Sequence, residues 1–250
     1  QESLKVLGRL SGMASPLVFF PSMIPMALAT ALVPAIAGAV SAGRYSVANR
    51  QISQSIRLTF VMGLVFTSFF AVCSNEIAEF IFPGMEVGRI LHLLSFTGVF
   101  LYLQQTMLGI LNGLGRESAI LINTLTGSIV RLALVWFCLP VWGVDAYIIG
   151  VIIGSLITII LNLIEVSKMT GMSVDVGEWV LKPLSAALAG ALASMLIKRI
   201  PGFSGQGGRF QLIVPIFVSF VVISAAFLLT GVIKTGDIKR WVQRRHVILQ

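Results

Sequence analysis

Among the side chains able to do chemistry in this 250-residue chain, Arg131 stands apart because it lies inside an apolar run. About eight residues separate it from the end of the span read at 118–139. That is roughly 12 Å at the α-helical rise, deeper than an arginine comfortably snorkels. A cation at such depth faces a bundle interior or a wet cavity. It can hold a lipid-linked phosphate, whose geometry matches the guanidinium's two parallel donors. It can instead pair structurally with carbonyls or with an acid from another part of the molecule. Gln104 and Gln105 lie mid-span, and Asn112, Asn123 and Asn162 lie in or near spans. Adjacent glutamines point about 100° apart on a helix, so at most one faces a given cavity. Gln104 and Asn123 join Arg131 as candidate cavity residues, with hydrogen bonding between helices as the alternative for such amides.

The other reactive residues do not assemble into a catalytic pattern. His92 and His246 are far apart, and Cys73 and Cys138 lack metal-ligand spacing. Both cysteines lie near the ends of apolar runs on the same expected side, which allows either a disulfide or two packed thiols. There is no zinc-protease motif, phosphate-binding loop or nucleophile elbow. Neither an enzyme, a metal nor a cofactor is indicated. Asp145 and Glu165 lie near the ends of their span, so no span shows a buried acid suited to proton or sodium coupling.

The elements that must position these residues are membrane helices. Hydrophobic residues make up 56% and charged residues 11%, whereas about a quarter of an ordinary soluble domain is charged. Mean hydropathy is +0.95, and several apolar runs reach the roughly 20 residues that cross a bilayer. Seven spans are expected, at about 12–40, 56–74, 90–111, 118–139, 144–165, 179–198 and 211–233. The polar stretch with Arg44, Arg50 and Arg57 predicts an amphipathic interfacial helix before the second span. Residues 77–82 are expected at the interface, stopped by Pro83-Gly84. Pro140 to Gly143 reads as a tight turn with Trp142 as interfacial anchor. The pairs Gly109/Gly113 and Gly150/Gly154 mark close helix contacts. So do the rows Ser185/Ala189/Ala193 and Ala186/Gly190/Ser194, either inside the bundle or between copies.

The first span is the most unusual. Ser11 to Ile36 holds no charge, yet it carries Pro16, Pro21, Pro25 and Pro34. Each proline removes a backbone donor and clashes with the preceding turn. In a membrane such breaks persist where neighbouring helices or a water-filled cavity satisfy the freed carbonyls. Discontinuous helices of this kind recur at the midplane sites of transporters. A bent helix, broken at these prolines and facing a polar cavity, is the expectation; a kinked packing helix is the alternative.

The net charge of +8 reads as topology rather than nucleic-acid binding. Eleven of the 18 basic residues fall on one side of the seven spans and six on the other. The positive-inside rule then puts the C-terminus in the cytoplasm and the N-terminus outside. An external start at Gln1, with an odd number of spans and no signal-peptide pattern, predicts further spans upstream. The basic tail with Trp241 suits anionic lipid or serves as an orientation signal.

The stretch GMASPLVFFPSMIPMALATALVPAIAGA and its basic loop resemble the stage V sporulation protein B-like polysaccharide exporters. IFPG at Ile81–Gly84 and LQQTMLGILNGLGR at Leu101–Arg116 are similar too. These exporters belong to the multidrug/oligosaccharidyl-lipid/polysaccharide (MOP) flippase superfamily, with lipid II flippases and MATE antiporters. The resemblance covers roughly residues 7–240 and aligns the seven spans with helices eight to fourteen of a fourteen-helix member. It implies alternating access by two lobes acting on a polyprenyl-linked sugar. Where lipid II flippases carry an acid–arginine pair on this helix, the present chain has Ser15 and Pro16. A cationic grip on diphosphate from that helix is therefore absent, and the sporulation-type exporters are closer.

The combined expectation is an all-α polytopic transmembrane bundle, resembling the C-terminal lobe of a MOP-type flippase plus two extra helices. Residues 1–168 would form a partial transporter lobe, and 169–250 two added helices with a basic cytoplasmic tail. The expected function is export of a lipid-linked oligosaccharide or peptidoglycan precursor across a bacterial plasma membrane. Its partners are membrane lipid, the lipid-linked sugar and a missing N-terminal lobe, with no nucleic acid. Candidate substrate-facing residues are Arg131, Ser15, Pro16, Gln104 and Asn123. The alternatives are a non-transporting scaffold or inactive fragment, and a cation-coupled multidrug antiporter.

Overall fold

In lipid a backbone must satisfy its own polar groups, so long apolar runs fold as helices, and every described element here is helical. The structure, a computed structural model, describes residues 2–172, 180–198 and 212–230. The basic tail, His246, Ser173 and the glycine-rich loop 201–208 lie outside the described residues.

The chain opens with one long helical rod. It comprises α1 (Glu2–Gly8), a π turn (Arg9–Ala14), α2 (Ser15–Phe19), a 3-10 turn (Phe20–Ser22) and α3 (Met23–Ser41). Then follow α4 (Tyr45–Ile81), α5 (Gly88–Gly113), α6 (Glu117–Trp142), α7 (Val144–Thr170), α8 (Lys182–Lys198) and α9 (Ile213–Leu229). Among the described residues, five helices are long and apolar enough to span a membrane: Lys5–Ser41, α4, α5, α6 and α7. The described α-helical parts of α8 and α9 have 17 residues each, about 25 Å at the helical rise.

Three expectations need correction. The prolines do not break the first span: the dihedrals at Ala14, Phe19, Phe20, Ser22 and Met23 all stay right-handed helical. The hydrogen-bond register lengthens to a π turn before Pro16 and tightens to a 3-10 turn at Pro21, while Pro34 lies inside α3. The segment after Arg44 is no separate interfacial helix but the start of the 37-residue α4. Ala48, Ile52 and Ile56 bury at four-residue intervals and run its apolar stripe onward into the span. Pro140, finally, lies within α6; the turn is made by Gly143 alone, at φ 56° and ψ −132°, a region open to glycine.

α5 is the central post, packed against α3, α4 and α7, while α8 and α9 pair with each other and lean on α4. The main core joins Leu32 and Ile36 of α3, Ile56 of α4 and Met107 of α5 to Ile159 of α7 and Phe227 of α9. The glycine pairs do what their spacing suggests, within the bundle. A Cβ on Gly109 would strike the backbone of Ala29 on α3, and one on Gly154 would strike Gly127 O on α6. A Cβ on Gly190 would sit tightly, at 3.2 Å, against Ile223 and Ala226 of α9, and Ala186 and Ser194 of its row are buried. Ion pairs fix the two ends of the bundle. Arg9–Glu86, Arg89–Asp145 and Lys198–Glu76 gather at one end. Arg116–Glu165 and the bond from Asn49 Nδ2 to Thr170 O lie at the other.

Candidate functional site

Local chemistry explains how the first span stays whole. The Ser15 backbone N–H closes the π turn onto Leu10 O, and the Ser15 hydroxyl donates to the same carbonyl at 2.7 Å. Near the 3-10 turn at Pro21, the Tyr102 hydroxyl of α5 donates to Val18 O at 2.7 Å. Tyr102 is 1% exposed, so in a dry setting this bond satisfies a carbonyl that lacks water. Phe66 of α4 packs edge-on against the Tyr102 ring. Ser15 thus serves the helix backbone, whereas Pro16 is exposed and Pro21 and Pro25 are buried.

Arg131 lies near the middle of α6, roughly 16 Å or more from either helix end at the α-helical rise. A Cβ on Gly154 would lie 2.8 Å from Arg131 Cβ and one on Gly150 would lie 3.4 Å from its carbonyl, so the backbone at Arg131 packs closely on α7. Its side chain is exposed and has no ionic partner among the described residues. Around it the outer surface of α6 is apolar, with Ile129, Leu132, Trp136 and Phe137 all exposed. Among the described residues, α6 packs mainly on α7, with a small contact to α5. A guanidinium is therefore presented near the middle of a largely apolar helix face that the other described residues leave uncovered.

Asn123 is buried, and its Nδ2 donates to Asn162 Oδ1 of α7 at 2.8 Å. The Thr158 hydroxyl adds a bond to Gly154 O at 3.0 Å beside the same seam. Gln104 and Gln105 are half-buried on α5. The five candidates therefore lie on three separate helices. Arg131 and Pro16 offer open surface, Gln104 offers part of one, and Ser15 and Asn123 are engaged in internal hydrogen bonds.

A second polar region escaped sequence reasoning. At the end of the bundle formed by the close of α4, a cavity of about 390 Å³ is lined by Asn75, Glu76, Glu79, Glu86 and Leu212, among others. Beside it, Lys198 Nζ of α8 meets Glu76 Oε1 at 2.6 Å. The two cysteines are free thiols, Cys73 buried and Cys138 partly so. The available signal was depth: Glu76 and Lys198 both follow long apolar runs at the same expected side, where a pair can form.

Comparison with known proteins bears on this arrangement. The MatE family model matches residues 11–137, from the π turn through Arg131 and most of α6. The chain belongs to the MatE family. Two curated relatives extend the likeness past the matched segment. Stage V sporulation protein B of Bacillus subtilis (strain 168) is 24% identical over 238 residues, covering 94% of this chain and 46% of the relative. Lipid II flippase MurJ of the same strain is 24% identical over 244 residues, covering 89% of this chain and 43% of that protein. This MatE chain thus spans under half the length of either relative, and both alignments take in most of its helices.

Proposed function

We propose that the chain forms part of a two-lobed flippase that exports a lipid-linked oligosaccharide or peptidoglycan precursor by alternating access. Family membership and the flippase named among its relatives support a transport role. The observation that carries the reading is Arg131, a cation held at mid-depth on a helix face that the described residues leave open. Facing lipid it would be costly, whereas facing a shared polar path it can grip the phosphate of a lipid-linked sugar. Exposed Pro16 and half-buried Gln104 are proposed to line the path. Ser15 and Asn123 would hold the backbones that shape it.

In this reading residues 1–168 supply a partial lobe and α8–α9 an added helix pair. A second lobe faces them, since rocking against a partner is what alternating access needs. The protein sits in a bacterial plasma membrane with its C-terminus in the cytoplasm. A cysteine placed at Ser173 is then blocked by impermeant thiol reagents only once the membrane is opened.

The test is transport by the complete protein in proteoliposomes, using a fluorescent polyprenyl-diphosphate sugar. Arg131→Ala should cut transport about tenfold or more at normal expression, and Arg131→Lys should keep part of it. Full activity in Arg131→Ala would sink the assignment.

A further inference from the structure

α4 contains no proline, yet its helix is interrupted once. Cys73 has φ −106° and ψ 16°, outside the helical region. Sharp interruptions of this sort arise where a side chain enters the hydrogen-bond ladder, and here two do. His92 Nδ1 of α5 donates to Ala71 O at 2.8 Å. Because a carbonyl can only accept, the proton sits on Nδ1. Lys198 Nζ of α8 donates to Val72 O at 2.6 Å. The same ammonium reaches Glu76 Oε1 at 2.6 Å, one turn past the break. Lys198 therefore grips α4 on both sides of its interruption at once. Its side chain and that of Glu76 are 15% and 22% exposed, so the pair is largely shielded from competing water. Ser219 of α9 stands against the Cys73 thiol, which brings both added helices onto the break.

Beyond the break, residues 74–81 lead into a turn at Phe82 to Gly84, where Gly84 takes φ +71°. Asn75, Glu76 and Glu79 of this segment border the cavity of about 390 Å³, so there is free volume beside it to receive a movement. The segment's own helix is interrupted behind it, glycine sits ahead of it, and empty space lies alongside. Lys198 and His92 hold its root in place.

We propose that Lys198 is a latch, a positioning residue through which the α8–α9 pair sets the angle of the terminal segment of α4. With the latch closed, residues 74–81 stay bent and Cys73 stays sealed. With it open, the segment swings toward the cavity and uncovers Cys73. The two helices added to the lobe thereby control one mouth of the bundle. This does not depend on what the protein transports.

The experiment uses the complete protein in proteoliposomes, with Cys73 as its sole cysteine and every other cysteine replaced by serine. Alkylation of Cys73 by N-ethylmaleimide is timed. Lys198→Met and Glu76→Gln should each speed the reaction about tenfold or more, the size expected for local opening. Lys198→Arg, which keeps charge and donors, should stay near the parent rate. Lys198→Gln, which keeps a donor without the charge, should fall between and serves if the methionine variant does not accumulate. Hydrogen exchange separates a latch from general loosening: amides at 74–81 should exchange faster while those at 45–70 do not change. An unchanged Cys73 rate, or faster exchange along the whole of α4, would overturn the proposal.

Discussion

The first span and α4 invert what their sequences suggest. The first carries four prolines and stays helical throughout, while α4 carries none and is interrupted at Cys73. The difference lies in what happens to the carbonyls. Around Pro16 and Pro21 the chain shifts its own register, and an outside donor, Tyr102, meets Val18 O. In α4 two outside donors, His92 and Lys198, take successive carbonyls of one turn, and the helix gives way there. Proline removes a donor from within, and the neighbours can replace it. A strong donor from outside competes with the ladder itself, and a buried charge is a strong competitor. Helix continuity in a membrane bundle is thus decided by neighbours as much as by the residues in the helix.

This contrast can be broken from the α3 side, beginning with its support. Gly109→Leu should have the largest effect, because a side chain there meets the backbone of Ala29 rather than a movable side chain. A loss on the order of 3 kcal/mol, or failure to fold, is expected for such overpacking, measured as the unfolding temperature in detergent. Tyr102→Phe comes next. It keeps the packing on Phe66 but strands Val18 O, costing about 1–3 kcal/mol for an unsatisfied buried acceptor. An unchanged unfolding temperature would show that the carbonyl has another donor. Pro34→Ala should do least. Residue 34 is exposed within α3, and alanine returns a donor to Thr30 O, so stability should rise by about 1 kcal/mol or less. A clear loss would mean that the proline itself shapes the span.

Much of the fold could be read from the chain because apolar run length and small-residue spacing are strong physical signals. The expected span 118–139 became Glu117–Trp142, and Gly150 and Gly154 found α6 as their spacing implied. What could not be read was settled by partners distant in sequence. Pro16 and Pro21 look like breaks until Tyr102 is seen 84 residues from Val18. Lys198 and Glu76 look like loop charges, and only packing 122 residues apart makes them a clamp. The segment after Arg44 reads as a surface helix because its arginines dominate, while buried Ile52 and Ile56 make it continue the span. The candidate site was legible at Arg131, whose cost in an apolar run is visible without a fold. It was not legible at Asn123, whose partner Asn162 lies on the next helix.

In the proposed reading the open face of α6 borders a water-accessible path at the level of Arg131, not lipid. The direct measurement is the reaction of Arg131→Cys, as the sole cysteine of the complete protein in its membrane, with a charged, membrane-impermeant thiosulfonate. The thiol is expected to react, and a polyprenyl diphosphate is expected to slow that reaction. A thiol inert to the charged reagent but open to a membrane-soluble maleimide would place residue 131 against hydrocarbon and contradict the account.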